Sequence, residues 1–408
     1  MVASAASRLV VVGASLAGLR AVEAARTAGH TGPITLVGAE EHLPYDRPPL
    51  SKAYLDVADV PLVRFREERH LVEDLGVDLV LGVPATALDG AARELSVCGR
   101  SIGYDALVLA TGASARTLPG AERLAGVHTL RTLDDAIAVR AALDAGARTV
   151  VIGAGFIGSE VASAARKRGL PVTVVEALPT PLVRAIGESM GTALSALHAA
   201  NGTDLRCGTP VAALEGSDRV TGVRLTDGTV LPADLVVAGI GADPAVDWLA
   251  GSGLELDNGI VADETLATEL PGVYAAGDVA RWRNPLFDRH MRIEHWTSAA
   301  EQGAVAARNA LAPEAATAYE TVPYFWSDWY DSRIQFVGIP AAEEIRVVSG
   351  SVDDGRFVAL YRAGDRLIGA LTLNRRADVM KYRVQIARRG SWADALAFAA
   401  QRDAARVS

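Results

Sequence analysis

Two glycine-rich segments about 140 residues apart have the residue types and spacing needed to hold phosphate groups. The first, RLVVVGASLAG, runs from Arg8 to Gly18, and the second, RTVVIGAGFIG, runs from Arg148 to Gly158. In both, an apolar β-branched run leads into a glycine turn and then into an alanine-rich stretch of helical character. A helix that starts directly after such a turn offers free N–H groups and a positive dipole end to a pyrophosphate. The repeat therefore predicts two dinucleotide-binding units of the Rossmann type.

The positions within each turn have separate physical tasks. The first glycine allows the tight turn, the second lets a pyrophosphate approach the backbone, and the third lets the helix pack on the strand. Ser15 replaces the middle glycine of the first copy, and a serine is small enough to keep that approach open. The residues predicted to contact the two nucleotides are Gly13, Ser15, Leu16, Ala17 and Gly18 in the first copy and Gly153, Gly155, Phe156, Ile157 and Gly158 in the second.

An acidic residue follows the second predicted strand of each copy. Glu40 and Glu176 are suited to accept hydrogen bonds from ribose hydroxyls. No basic residue follows Glu176 before Arg184, so nothing directly behind this strand is suited to a 2′-phosphate. The second site, in which we include Arg184, is therefore predicted to prefer NADH to NADPH.

Two further strand ends are suited to a flavin nucleotide. The run LVLATG ends in Ala110, Thr111 and Gly112, and the run VYAAGD ends in Asp278, whose carboxylate is suited to bind a ribityl chain. Taken singly, either segment reads equally well as an ordinary strand end. One segment precedes the second glycine turn and the other follows it, and this order along the chain favours a flavin site.

These segments, in this order, resemble the flavoproteins with two dinucleotide-binding domains. Three motifs, Leu43–Lys52 (LPYDRPPLSK), Glu294–Gly303 (EHWTSAAEQG) and Tyr324–Asp328 (YFWSD), make the chain similar to FAD-dependent ferredoxin reductases of the putidaredoxin reductase and aromatic-ring dioxygenase reductase type. The resemblance implies an α/β fold with two Rossmann-like domains and a small α+β C-terminal domain. It places a discontinuous FAD domain at 1–115 and 243–320, an inserted NADH domain at 116–242 and an interface domain at 321–408.

The resemblance also implies roles for single residues. Lys52 is expected near flavin N5 with Glu160 as its partner, because a fixed ammonium favours negative charge on the flavin. Arg47 is expected to assist FAD binding, and His295 and Trp296 to border the flavin without a catalytic role for the histidine. Trp326 matches an aromatic residue that lies against the flavin. The alternatives are a surface lysine, a helix-start glutamate, an exposed arginine and an ordinary core tryptophan.

A helix start is predicted next to His295 and Trp296. Ser298 and Glu301 have the spacing of a capping box, which indicates a helix that opens there and continues through Asn309. The resemblance implies that the N-terminus of this helix points at the flavin.

Composition narrows the classes of function. The net charge of −9 argues against general nucleic-acid binding, and the apolar runs are too short to cross a membrane, so we expect a cytoplasmic protein. Cys98 and Cys207 have no CxxC or histidine-rich setting, so no metal site is predicted. No cysteine precedes Lys52, which disfavours disulfide reductases and NADH peroxidases.

The basic residues near the C-terminus indicate a docking surface. Residues 321–408 contain thirteen basic and ten acidic residues, whereas the remainder of the chain has a net charge of −12. The candidate docking face for an acidic [2Fe–2S] ferredoxin consists of Arg375, Arg376, Lys381, Arg383, Arg388 and Arg389. A solvated helical face explains the same cluster equally well. The protein itself is expected to be a monomer or a weak homodimer.

Electron transfer to an external acceptor is the function that these observations favour. We expect an enzyme that passes hydride from NADH to FAD and then single electrons to a [2Fe–2S] ferredoxin. That ferredoxin would serve a cytochrome P450 or a ring-hydroxylating dioxygenase. The alternatives are a rubredoxin reductase, an NADH oxidase, or a redox-sensing flavoprotein that resembles apoptosis-inducing factor.

Overall fold

The apolar run Leu9–Val12 forms a fully buried strand in the computed structural model of the chain, which describes residues 7–56 and 63–407 and the side chains as far as residue 404. In these residues the strands are, in chain order, β1 (Leu9–Val12), β2 (Ile34–Val37), β3 (Val77–Val80), β4 (Ala85–Asp89), β5 (Glu94–Val97), β6 (Arg100–Gly103), β7 (Ala106–Leu109), β8 (Ala113–Ala115), β9 (Val127–His128), β10 (Thr149–Ile152), β11 (Val172–Glu176), β12 (Asp204–Cys207), β13 (Val211–Gly216), β14 (Val220–Leu225), β15 (Val230–Pro232), β16 (Leu235–Ala238), β17 (Ala242–Pro244), β18 (Ile260–Ala262), β19 (Val273–Ala275), β20 (Ala280–Asn284), β21 (Arg289–Met291), β22 (Tyr324–Trp329), β23 (Ser332–Gly338), β24 (Glu344–Ser351), β25 (Arg356–Ala363) and β26 (Arg366–Leu373).

Among the described residues, an α-helix follows each of the two glycine turns, and two α-helices follow the last strand. The α-helices of these residues are α1 (Leu16–Thr27), α2 (Ala53–Asp56), α3 (Leu133–Asp144), α4 (Phe156–Lys167), α5 (Val183–Ile186), α6 (Glu188–Ala200), α7 (Trp296–Leu311), α8 (Arg376–Ala387) and α9 (Trp392–Val407).

The contacts divide the chain into two compact units. The first comprises the described residues of 1–46, 62–114 and 243–323, and the second comprises those of 47–61, 115–242 and 324–408. The second unit thus contains both the second glycine turn and the C-terminal region. The sequence leads us to expect three domains rather than two units, and the boundaries of those domains stay a prediction.

The first unit is built on a five-stranded parallel sheet with the order β19-β7-β1-β2-β3. Strands β1, β2 and β7 are buried on both faces, which explains why they read as continuous apolar runs rather than as alternating ones. Helices α1 and α7 pack against each other, and small residues allow this: a Cβ on Gly303 would lie only 2.0 Å from the carbonyl oxygen of Ala17. Two smaller sheets, β4-β5-β6 and β18-β20-β21, complete the unit.

The second unit repeats the parallel sheet and adds two antiparallel ones. Its parallel sheet has the order β12-β11-β10-β16-β9, and a small antiparallel sheet, β13-β14-β15, accompanies it. The C-terminal residues form an antiparallel sheet of order β22-β23-β26-β25-β24 together with α8 and α9. Two Rossmann-like sheets with a small α+β C-terminal region are the predicted fold class, which is confirmed.

Candidate dinucleotide sites and a buried ion pair

The first glycine turn joins β1 to α1 and lies against the end of β7. Gly13 has a φ of +117°, and a Cβ there would lie 2.0 Å from the carbonyl oxygen of Ala110 and 3.0 Å from the nitrogen of Thr111. Only glycine fits this position. The structure therefore places Ala110 and Thr111 directly against the first glycine turn.

Ser15 occupies the N-cap position of α1 in an extended backbone conformation, with φ of −127° and ψ of −160°. Any residue adopts this conformation, so the serine does not disturb the turn. Leu16 and Ala17 begin the helix and are buried, and their N–H groups belong to the first turn, which has no intrahelical acceptors. A free first turn beside an obligatory glycine is the arrangement that a pyrophosphate requires.

Glu40 lies after β2, which is the neighbour in the sheet of β1, the strand that leads into the first glycine turn. One of its carboxylate oxygens accepts a hydrogen bond of 2.6 Å from the hydroxyl of Tyr45, which is buried. Tyr45 belongs to the proline-rich motif but was not predicted to support the acid.

Asp278 lies in a short 3₁₀ turn, Gly277–Val279, directly after β19. Because β19 pairs with β7 at Ala275 and Leu109, this turn lies at the same carboxyl edge of the sheet as the glycine turn. The backbone N–H of Gly277 donates a 2.8 Å hydrogen bond to the side chain of Gln302 on α7. The edge therefore gathers the predicted phosphate-binding and ribityl-binding residues.

Helix α7 begins earlier than the sequence predicts. Trp296 is its first residue and His295 its N-cap, so the capping box predicted from Ser298 and Glu301 is wrong. The carboxylate of Glu301 accepts hydrogen bonds from the hydroxyls of Tyr319, at 2.7 Å, and Thr321, at 3.2 Å. These tertiary partners replace the local cap.

The two residues at the start of α7 are tied into the first unit. The indole N–H of Trp296 donates a 2.8 Å hydrogen bond to Asp46. Desolvation lowers the pKa of the half-buried His295 to about 4, and the nearby Asp278 opposes this only in part. The absence of a catalytic role for His295 stays a prediction.

The second glycine turn joins β10 to α4 in the second unit. Gly153 has a φ of +101°, and a Cβ there would lie 2.4 Å from the carbonyl oxygen of Gly239, whereas one on Gly155 would lie 3.7 Å away. A Cβ on Gly158 would lie 2.2 Å from the carbonyl oxygen of Gly153. The first and third glycines are therefore required by the protein itself, and the second leaves room for a ligand.

Glu176 ends β11 and is bound to the second glycine turn. Its two oxygens accept hydrogen bonds from the N–H groups of Ala154, at 2.9 Å, and Leu178, at 3.0 Å. Arg184 lies exposed on α5, and among the described residues no hydrogen bond or ion pair connects it to this turn. The edge of this site is thus acidic, as the choice of NADH over NADPH requires.

Lys52 and Glu160 form a buried ion pair. Glu160 lies in the first turns of α4, and Lys52 follows the 3₁₀ turn Pro48–Ser51, in which two prolines restrict the backbone. Both carboxylate oxygens lie 2.9 Å from the ammonium nitrogen, and the side chains of Glu160 and Lys52 are only 2% and 18% exposed. The predicted pairing of these two residues is therefore present.

Two serines that were not predicted complete this pair. The hydroxyls of Ser51 and Ser327 donate to opposite oxygens of Glu160. Ser51 precedes Lys52 in the proline-rich motif and Ser327 follows Trp326, so both stood in motifs already singled out. Burial removes water from the Glu160 carboxylate, and the three donors, Lys52, Ser51 and Ser327, compensate this loss. A buried charge without partners has no such compensation. Next to the pair, Arg47 donates a 2.9 Å hydrogen bond to the carbonyl oxygen of Arg131.

Comparison with known proteins places this arrangement in a family. Residues 7–303 match the family model described as pyridine nucleotide-disulphide oxidoreductase, and residues 324–406 match the model described as reductase C-terminal. The chain belongs to this family. Relatives include rhodocoxin reductase of Rhodococcus erythropolis, which is 40% identical over 92% of this chain and 88% of its own length. The reductase component of the anthranilate 1,2-dioxygenase system of Burkholderia cepacia is 39% identical over 92% of both chains.

A solved structure has the same architecture. The covalent complex of putidaredoxin reductase with putidaredoxin contains a chain that superimposes with a TM-score of 0.89 at 36% identity, over 95% of this chain and 94% of the other. The resemblance stated from the three motifs is confirmed. Both cysteines of this oxidoreductase are free, and they lie in different units.

Trp326 lies on β22 of the oxidoreductase with its ring half-buried. Its ring stacks on that of Tyr324 at 5.6 Å, and the guanidinium of Arg333 lies 5.4 Å from its centre. Trp329, three residues on, is fully buried against Phe156 and His198. Trp329 is therefore a core residue.

The described helices include none that is both long and apolar enough to cross a membrane.

Proposed function

We propose that the chain is an FAD-dependent NADH:ferredoxin oxidoreductase. It passes electrons from NADH to a [2Fe–2S] ferredoxin that serves a cytochrome P450 or a ring-hydroxylating dioxygenase. The observation that carries the proposal is the Lys52–Glu160 ion pair, whose glutamate lies on the helix that follows the second glycine turn. The names of rhodocoxin reductase and the anthranilate dioxygenase reductase component agree with it.

The residues present fit two dinucleotides. FAD would be held by the first glycine turn, with Glu40, the segment Ala110–Gly112 and Asp278, and NADH by the second turn with Glu176. Both turns combine a glycine that the backbone requires with a free helix N-terminus. When bound, FAD accepts a hydride from NADH and releases its electrons singly, which suits a one-electron iron–sulfur acceptor.

Lys52 acts through its fixed charge. An ammonium that is held by both oxygens of Glu160 cannot move away, so it favours negative charge beside it without reorganisation. Ser51 and Ser327 keep the carboxylate in the orientation that this requires. In this proposal Lys52 is the residue that acts on the flavin, and Glu160 and the serines position it.

NADH rather than NADPH is the proposed reductant. The carboxylate of Glu176 is anchored to the backbone of the glycine turn, so it stays at the position where a 2′-phosphate would have to lie. A phosphate beside a fixed carboxylate would meet strong repulsion. A cytoplasmic location and a monomeric or weakly dimeric state stay predictions.

The proposed docking face for the ferredoxin is the outward side of α8. Met380 and Val384, 42% and 49% exposed, stand one helical turn apart with Arg376 and Arg388 before and after them. An apolar centre with a basic rim suits an acidic partner. Asp378, the acid within this cluster, is buried and paired with Arg402 at 2.9 Å, so it does not weaken the outward charge.

Two members of the predicted face are placed differently from the others. Arg375 is the half-buried N-cap residue of α8, and Arg389 follows the helix end in an exposed position. The remaining members of the predicted face, Lys381 and Arg383, are half-exposed. Charge reversal is therefore best made at Arg376 and Arg388.

The double reversal Arg376→Glu with Arg388→Glu should raise the KM for ferredoxin by about tenfold or more and leave NADH oxidation by an artificial acceptor unchanged. Arg123→Glu, at another highly exposed arginine, is the matched control. Equal effects of both changes, or loss in both assays, would contradict the docking face.

The proposed function is tested by anaerobic mixing of the purified FAD-loaded protein with NADH, followed by a [2Fe–2S] ferredoxin. We expect rapid bleaching of the flavin and then rapid reoxidation by the ferredoxin. Bleaching that no ferredoxin reverses would contradict ferredoxin reduction and favour an oxidase or a redox sensor, and absence of bleaching would contradict NADH oxidation.

A matched pair of lysine variants separates the role of Lys52 from packing. Lys52→Met removes the ion pair with Glu160, whereas Lys167→Met removes the neighbouring ion pair with Asp56, which joins the same helix to the same segment. Only Lys52→Met should slow flavin reduction. Equal slowing would show that the two ion pairs serve packing alone.

A further inference from the structure

Gln302 on α7 is buried, and its side-chain amide is hydrogen-bonded within the described residues only through its oxygen. Its side chain oxygen accepts a 2.8 Å hydrogen bond from the backbone N–H of Gly277, and the residue is 1% exposed. Among the described residues, its amide nitrogen Nε2 has no hydrogen-bond partner. Because a backbone N–H only donates, the bond to Gly277 fixes which end of the amide is which. Nε2 is therefore a buried donor that needs an acceptor.

The neighbours of Gln302 place this donor at the predicted phosphate edge. A Cβ on Gly303, the next residue, would touch the carbonyl oxygen of Ala17 at 2.0 Å, and one on Gly277 would lie 3.1 Å from the Cβ of Ala17. Ala17 belongs to the first turn of α1, and Asp278 directly follows Gly277. Gln302 thus lies where the helix start of the first glycine turn meets the turn that carries Asp278.

A second buried amide on the same helix shows that the protein is able to satisfy such groups by itself. Asn309 is 2% exposed. Its nitrogen donates to the carbonyl oxygens of Thr265, at 2.8 Å, and Thr317, at 2.9 Å, and its oxygen accepts from the N–H of Thr317 at 3.0 Å. Gln302, two helical turns earlier, differs because no residue in the described part of the chain accepts a hydrogen bond from its nitrogen.

We infer that Nε2 of Gln302 donates a hydrogen bond to an oxygen of the pyrophosphate–ribityl part of FAD. The inference rests on the proposed use of FAD, and it adds a positioning contact from α7 to those of the glycine turn. A neutral amide suits this place because it donates to the phosphate oxygen while its own oxygen holds the Gly277 turn. The same side chain thereby connects the cofactor to the turn that carries Asp278.

The test compares Gln302→Glu with Asn309→Asp in the full-length protein. Gln302→Glu keeps an oxygen for Gly277 but replaces the donor by a carboxylate oxygen, which repels a phosphate. Asn309→Asp makes the same chemical change on the same helix, but at an amide whose partners are all protein groups. For each protein, the FAD dissociation constant is measured by dilution of the FAD-loaded form with flavin fluorescence, and thermal unfolding is measured with and without FAD.

Gln302→Glu should raise the FAD dissociation constant by at least about tenfold, as expected for loss of a hydrogen bond to a charged group. Asn309→Asp should lower the unfolding temperature with and without FAD and change the dissociation constant little. If Gln302→Glu does not fold, Gln302→Met decides, since it also lacks the donor and should weaken FAD binding to a similar extent.

Two negative outcomes are distinguishable. If the unmodified protein binds FAD and the Gln302 variants bind it equally well, the inference is overturned, and water is then the partner of Nε2. If the unmodified protein does not bind FAD at all, the proposed function itself fails.

Discussion

Gly153 and Gly155 stand two residues apart in the second glycine turn and should respond in opposite ways to replacement by alanine. A Cβ at Gly153 would lie 2.4 Å from the carbonyl oxygen of Gly239, and φ there is +101°. The left-handed backbone costs an L-residue roughly 1–2 kcal/mol, and overpacking adds typically about 1–3 kcal/mol. We therefore expect Gly153→Ala to lower the free energy of unfolding by about 2–5 kcal/mol.

Gly155→Ala should leave stability nearly unchanged and weaken NADH binding. Its Cβ would lie 3.7 Å from the nearest atom, an ordinary contact, and φ there is −75°. Alanine restricts the unfolded chain more than glycine does, which stabilises the protein by about 0.4–1 kcal/mol. Alanine is also a poorer N-cap than glycine, and this cost offsets the gain. The new methyl group would stand where the pyrophosphate approaches, so we expect the KM for NADH to rise by about tenfold or more.

The assay measures thermal unfolding of the FAD-loaded protein and the KM for NADH with an artificial electron acceptor. Gly146→Ala separates strain from overlap, because φ there is +79° but nothing lies within 4 Å of the Cβ. It should show the backbone cost alone. The reasoning is refuted if Gly155→Ala loses as much stability as Gly153→Ala while its KM for NADH stays unchanged.

Two further predictions concern buried ionisable groups. Glu160→Gln removes the counter-ion of Lys52, whose side chain is only 18% exposed. The change should lower the free energy of unfolding by about 2–4 kcal/mol and slow NADH oxidation. Urea unfolding that matches the unmodified protein would contradict this. Burial lowers the pKa of His198 to about 4 from an ordinary value of 6.5. The unfolded chain therefore takes up the proton first as the pH falls, and stability should drop between pH 6.5 and 4 by up to about 3 kcal/mol and then level off. His198→Gln should flatten this dependence, and an unchanged profile would show that other groups control it.

Local patterns predict the fold because its main features are encoded within short stretches. The run from Val10 to Gly18 contains the strand, the turn glycine and the helix start that form one half of a Rossmann unit, and the second copy repeats them. Positions such as Gly13 are recognisable from sequence because only one residue type fits the backbone there. The pairing of Lys52 with Glu160 came from the family resemblance, not from their spacing.

Side-chain partners from distant segments are what the sequence does not reveal. Ser327 is 167 residues from Glu160, and a hydroxyl carries no signature of the carboxylate to which it donates. The same reason explains the capping-box error, since Glu301 has the right local spacing but is bound by Tyr319 and Thr321. A local motif predicts a local bond only when no tertiary partner competes for the group.

The alternation of side chains along β22 explains why the C-terminal region and the second glycine turn form one unit. Phe325, Ser327 and Trp329 lie on one face of this strand, where they contact the ring of Phe156 and the carboxylate of Glu160 on α4. Trp326 lies on the other face, against Tyr324 and Arg333.

The turn after β22 and strand β25 extend the same contact. The hydroxyl of Tyr330 lies 2.8 Å from the ring nitrogen Nδ1 of His198, and the hydroxyl of Tyr361 donates to the carbonyl oxygen of Ile186. A one-residue shift of β22 would exchange its two faces and remove Ser327 from Glu160. The register of this strand is therefore a condition for the ion pair, so the C-terminal sheet takes part in the chemistry that we propose for Lys52.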